Sequence, residues 1–176
     1  MQKDIPIGDG SLRVGPRPRG GDWLPTDLAT LRSEGLSFLV SLLTDAENRE
    51  LGLGNERDEC QHHNLDFYSF PIVDRSIPQD REAFESLAGH LLARVVAGES
   101  GFLHCRAGLG RAPLLACTIL ILHGIDVEQA WAIIEDCRGQ TVPDTKDQRA
   151  WPRRRSSLLT LEEALFSLQG ELDSLV

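Results

Sequence analysis

Residues 101–123 read GFLHCRAGLGRAPLLACTILILH. The stretch opens on a short apolar run, 101–104, with the character of a strand. A loop with two glycines follows, His104-Cys105-Arg106-Ala107-Gly108-Leu109-Gly110-Arg111. Residues 112–123 are then almost wholly apolar and read as a buried helix closed by Gly124. Strand, glycine loop and helix in direct succession are the building unit of an α/β fold, in which helices cover a parallel sheet.

The flanking sequence repeats the alternation. Residues 36–43 are nearly continuously apolar (Phe38, Leu39, Val40, Leu42, Leu43), as a strand buried on both faces must be. Thr44, with Glu47 three residues on, forms a capping box that starts a helix. Residues 65–73, carrying Phe67, Tyr68, Phe70, Ile72 and Val73, read as a second strand that Pro71 ends or confines to an edge. Residues 74–79 are a loop, and from Asp80 a helix presents Phe84, Leu87, Leu91 and Val95 on one stripe.

Further helices are expected over 26–32, capped by Thr26 and closed near Gly35, and over 126–138, with Trp131 and Ile134 on its apolar face. A last helix starts at Thr160, whose capping-box partner is Glu163, and carries Leu161, Leu165, Leu168 and Leu172. The sum is one domain over 1–176: a central, mostly parallel twisted sheet flanked by helices, with an irregular lead-in over 1–20 and a C-terminal helix over 157–176. The lead-in is rich in Gly, Pro and Arg and has room for a short strand at 12–14.

Composition narrows the function. Forty-one per cent apolar residues suits an ordinary globule. A net charge of −9 disfavours nucleic acid or an acidic membrane as partner, since those surfaces attract Lys and Arg. The longest apolar stretch, 114–122, falls well short of the about 20 residues a membrane span needs. Met1, Asp4 and Asp9 begin a stretch without the apolar segment of a signal peptide. The four cysteines form no C-x-x-C pair, which fits a reducing cytoplasm.

Cys60, His62 and His63 lack a fourth metal partner and read as an exposed polar patch; no metal or other cofactor is expected. Trp23, Trp131 and Trp151 read as packing residues, His123 as a helix-end cap, and Arg153 to Arg155 as a solvated basic run. The C-terminal leucine stripe leaves the oligomeric state open.

The glycine loop is where chemistry concentrates. A helix amino terminus offers unpaired N–H groups and a partial positive charge. Gly108 and Gly110 can take positive φ, so that successive N–H groups point inward as a nest for a phosphate. Arg111 adds a planar fork of donors for two phosphate oxygens. The same field favours the thiolate of Cys105, since such settings lower a cysteine pKa from ~8.5 to about 3.5–7.5.

A Cys-x5-Arg loop preceded by His and containing two glycines resembles that of the protein tyrosine phosphatase superfamily. Residues 26–47 and 70–78 (FPIVDRSIP) are similar to the kinase-associated phosphatase branch of its dual-specificity members, and the resemblance runs over roughly residues 10–150. It implies a phosphatase in which Cys105 attacks phosphorus and Arg111 grips the phosphate. His104, Arg106, Ala107, Gly108, Leu109 and Gly110 would line the phosphate site. It also implies an upstream acid, for which Asp74, 31 residues before Cys105, fits best and Asp45 and Asp22 are weaker candidates. Gln148 matches the position that orients water.

Only Arg106 adds charge within the loop, while Ala107 and Leu109 are apolar. That points to phosphorylated protein, on tyrosine and on serine or threonine, rather than to phosphoinositides. One position departs from the family: Ala112 stands where Ser or Thr usually follows the arginine. The missing hydroxyl predicts slower breakdown of a phosphocysteine, and gives weight to a non-catalytic phosphate-binding module. A rhodanese-type sulfurtransferase also uses a loop cysteine, but has no need of Asp74.

Overall fold

The computed structural model describes residues 3–155. Five strands form one sheet in the order β1 (Ile5–Ile7), β2 (Gly10–Pro16), β5 (Ser100–Cys105), β3 (Phe38–Ser41), β4 (Asp66–Ser69). All pairings are parallel except β1 with β2, which form an antiparallel pair. The lead-in is therefore largely strand. β2 lies beside β5 from Ser11 opposite Ser100 to Pro16 opposite Cys105. Its apolar residues, Leu12 and Val14, are interrupted by Gly10, Arg13, Gly15 and Pro16, so the alternation is too short to announce seven residues of strand.

The helices α1 (Leu24–Ser33), α2 (Asp45–Glu50), α3 (Glu56–His62), α4 (Arg81–Val96), α5 (Arg111–Leu122), α6 (Val127–Arg138) and α7 (Lys146–Ala150) complete the fold. The Thr44–Glu47 capping box at α2 is present with both bonds. Asp80 caps α4, Asp126 caps α6, and His123 is the C-cap residue of α5. Helix α1 starts earlier than expected: Thr26 lies within it and caps nothing, because Pro25 already fixes the first turn. The helix expected from Thr160 lies outside the described residues.

The two-residue period of the strands sorts side chains between two cores. Phe38, Val40, Leu103 and Cys105 face a large core with α4, α5 and α6. Leu39 and Phe102 face a smaller one with Leu24, Leu28, Leu53 and Cys60. All four residues of β3 are buried, as its continuous apolar run requires, whereas β4 is the part-exposed edge that Pro71 foretold. The carboxyl ends of β3, β4 and β5 open on the same side of the sheet, where α/β folds build their sites.

Two expectations about side chains fail. Cys60 is wholly buried in the smaller core rather than exposed, because α3, unrecognised in the sequence, turns it inward. Trp23 is 58% exposed rather than packed, with the Arg19 guanidinium 4.4 Å over its ring. Trp131 and Trp151 are buried as expected.

Candidate active site

β5 ends at Cys105 and α5 begins at Arg111, so the loop joins a central strand directly to the amino terminus of a buried helix. Cys105 is at the floor, 3% exposed. Arg106 and Ala107 face outward, Leu109 is half-buried, and Gly108 and Gly110 are enclosed. The two glycines serve different ends. Gly108 has φ of +70°, and a side chain there would put its first carbon 2.3 Å from the Gly15 carbonyl carbon. Gly110 has an ordinary negative φ of −117°, against expectation. What constrains it is room: a first side-chain carbon would lie 2.7 Å from Gln148 Oε1, so the Gln148 side chain would have to shift.

Arg111 is 1% exposed, and its guanidinium is bonded on several sides. Nη1 donates to Glu47 Oε2 at 2.8 Å, to the Ile72 carbonyl at 2.8 Å and to the Leu42 carbonyl at 3.4 Å. Nη2 donates to Glu47 Oε1 at 2.9 Å and to Asp74 Oδ1 at 2.8 Å. Nε makes no hydrogen bond within the described residues. Burial works to push the Glu47 carboxyl up, but the bonds from Arg111 and Thr44 outweigh it and bring it down to about 2. Burial likewise works against the Arg111 charge, yet Glu47, the Cys105 sulfur and Asp74 hold its pKa above the ordinary value.

Glu47 is the residue that sequence reasoning missed. It was legible as a cap, and it is one: Oε2 accepts from the Thr44 N–H at 3.0 Å. The same carboxylate faces Arg111, 64 positions away, and no local pattern announces that.

Asp74 follows β4 in an exposed loop, its side chain 55% exposed, and reaches Arg111 as described. Neither Asp45, exposed in the first turn of α2, nor Asp22 bonds Arg111. Gln148 is wholly buried at the N3 position of the α7 capping box. Its Oε1 accepts from the Thr145 N–H at 3.2 Å and its Nε2 donates to the Ser76 carbonyl at 2.9 Å. It thus touches both the Gly110 end of the loop and the segment after Asp74. Arg75, next to Asp74, has a φ of +60° and pairs with Asp144 at 3.4 Å.

Arg106 pairs with exposed Glu50 on α2 at 3.1 Å. His104 points away from Cys105, into the smaller core, where its ring stacks on Phe102. There its Nε2 lies 3.1 Å from Glu56 Oε1, both groups buried, though not at a hydrogen-bonding angle. Among the described residues no group of His, Cys, Asp and Glu could hold a metal ion, and His62 and His63 are not joined by Cys60 on the surface.

No protein-family model matches the chain. Individual proteins do. Protein 067L of Invertebrate iridescent virus 3, named as a tyrosine phosphatase, is 30% identical over 130 residues, covering 69% of this chain and 50% of the viral protein. Mouse cyclin-dependent kinase inhibitor 3 is 28% identical over 123 residues, covering 69% of this chain and 58% of that protein. The chain thus spans about half the length of the curated relatives it matches.

Among solved structures, kinase-associated phosphatase with its catalytic-site cysteine replaced by serine superposes with a TM-score of 0.71 at 24% identity, over 81% of this chain and 82% of that one. A protein named as a tyrosine phosphatase from Leishmania major gives 0.65 at 22% identity, over 86% and 96%. Those two likenesses show the fold. Sequence kinship with proteins named as tyrosine phosphatases, the five-stranded sheet and the Cys105-to-Arg111 loop together place the chain in the protein tyrosine phosphatase superfamily.

Proposed function

We propose that the chain is a cysteine-dependent phosphatase that hydrolyses phosphate monoesters on phosphorylated proteins, at tyrosine and at serine or threonine. The observation that carries this reading is the encounter of Arg111 and Asp74 at 2.8 Å, with Cys105 at the other end of the loop that Arg111 closes. A guanidinium for the phosphate, a carboxyl for the leaving oxygen and a sulfur beneath them are the three groups the reaction needs.

In the first step the Cys105 thiolate forms a bond to phosphorus as the ester P–O bond breaks. The carboxyl of Asp74 gives its proton to the departing oxygen. Phosphate entry displaces Asp74 from Arg111 Nη2, which frees the carboxyl to turn toward that oxygen, while Nε supplies a second donor. In the second step water attacks phosphorus, Asp74 takes its proton, and the sulfur leaves as thiolate with release of inorganic phosphate. Arg111 and the loop amides hold the charge spread over the equatorial oxygens in both steps.

Arg106 and Ala107 at an open rim suit a shallow cleft that admits both aryl and alkyl phosphates. The free cysteines support a reducing, cytoplasmic setting, and residues 1–176 are read as one domain with this activity. The test is Cys105→Ser assayed on an aryl phosphate. Turnover should vanish while phosphate or vanadate still binds, and normal activity in that variant would overturn the mechanism.

A further inference from the structure

Arg75 stands out on the backbone. Its φ of +60° lies in the left-handed region, which strains a residue with a side chain and costs glycine nothing comparable. The position directly follows Asp74, in a turn closed by the Ser76 N–H on the Val73 carbonyl at 3.0 Å. A glycine would make the same turn without strain, so arginine is held here at a conformational cost. It meets Asp144, Nη1 to Oδ1 at 3.4 Å.

Asp144 is no ordinary surface carboxylate. It sits against the phosphate loop, so close that a side chain on Gly110 would lie 3.1 Å from the Asp144 Cβ. Four residues on, Gln148 crosses the same gap, donating to the Ser76 carbonyl. The segment 144–148 is therefore wedged between the phosphate loop and the loop that carries Asp74. The left-handed turn sends the side chains of Asp74 and Arg75 to different partners, one to Arg111 and one to Asp144.

We propose that Arg75 and Asp144 are a latch, a pair of positioning residues that hold the Asp74 loop at the height from which its carboxyl reaches the leaving oxygen. The inference rests on the reading of Asp74 as the acid. The latch touches neither phosphate nor the reacting atoms, and it is largely solvated, with side chains 64% and 29% exposed. Its effect is accordingly modest, and it falls on proton donation rather than on phosphate capture.

The test compares kcat/KM for phenyl phosphate, a poor leaving group, with that for 4-nitrophenyl phosphate, a good one. In Arg75→Gly and Asp144→Asn the ratio of poor to good should fall roughly two- to five-fold, the range an exposed pair can supply. The double variant should be no worse than either single one. Thermal stability separates latch from scaffold: Arg75→Gly removes backbone strain, so its Tm should hold or rise even as the ratio falls. An unchanged ratio in both variants overturns the latch, and so does an equal loss on both substrates with a lowered Tm. Asp74→Asn is the control. If it leaves the ratio untouched in an active enzyme, or if the wild-type chain hydrolyses neither ester, the acid assignment fails and the latch with it. If Asp74→Asn lowers the ratio and the latch variants do not, only the latch is lost.

Discussion

Arg111 and Asp74 face each other across 2.8 Å, yet they are held in opposite ways. Arg111 is buried at the head of α5, with a bidentate carboxylate and two carbonyls around its guanidinium. Asp74 is half-exposed in a loop, and Arg111 is its sole hydrogen-bond partner among the described residues. Moving Arg111 would strand a desolvated charge, which is expensive. Moving Asp74 breaks one contact that water can replace. One half of the site is therefore part of the core, and the other can be rearranged at little cost in stability. That division suits the roles proposed for them, a fixed grip on phosphate and a carboxyl that moves between acid and base.

Breaking the buried half should have the larger effect. Glu47→Ala leaves the Arg111 charge with its carbonyls and a solvated Asp74, and should cost about 3 kcal/mol of stability in urea unfolding. It should also lower kcat/KM by about 10²-fold, since the guanidinium loses its anchor. The pH dependence has a definite sign. The folded Glu47 carboxyl lies at about 2, below its ordinary value of 4.5, so its stabilisation is complete above pH 4.5 and drains away as pH falls toward 2. The stability gap between wild type and Glu47→Gln should thus be flat from pH 5 to pH 8 and close below pH 4.5. A gap that widens in acid would contradict the pairing.

Breaking the exposed half should separate rate from stability. Asp74→Asn should slow alkyl phosphates by about 10²-fold and activated aryl phosphates much less, with unfolding free energy within about 0.5 kcal/mol of wild type. A large stability loss there would erase the contrast between the halves. The smallest effect belongs to Ala112, wholly buried in the first turn of α5. Ala112→Ser should raise kcat a few-fold on an aryl phosphate and leave kcat/KM alone, because the hydroxyl assists only the departure of sulfur. Absence of a burst in the wild type, with no gain in the serine variant, would show that breakdown is not slowed.

The sequence carries these two halves unequally. The loop, the strand before it and the helix after it are local, and each is written in neighbouring residues. The Thr44–Glu47 box is local too, which is why Glu47 could be read as a cap and not as the partner of Arg111. Contacts across 64 or 69 positions, such as Glu47 with Arg111 or Asp144 with Arg75, leave no trace in periodicity. Helix α3 is hard to see in the sequence because its polar, largely acidic residues offer only two inward positions, Glu56 and Cys60, and one of those is charged. Gly110 was read for its backbone freedom, and its true constraint, the side chain of Gln148 close beside it, exists only in the assembled fold.

Burial pushes the Cys60 thiol up to about 12, and raises Cys117 and Cys137 as well. At neutral pH those three sulfurs are protonated and poor partners for electrophiles. Cys60 and Cys117 are wholly buried as well, so a reagent that attacks sulfur reaches neither without opening the fold. Sulfur-directed chemistry on this protein is therefore decided between Cys105, at the floor of the glycine loop, and part-exposed Cys137.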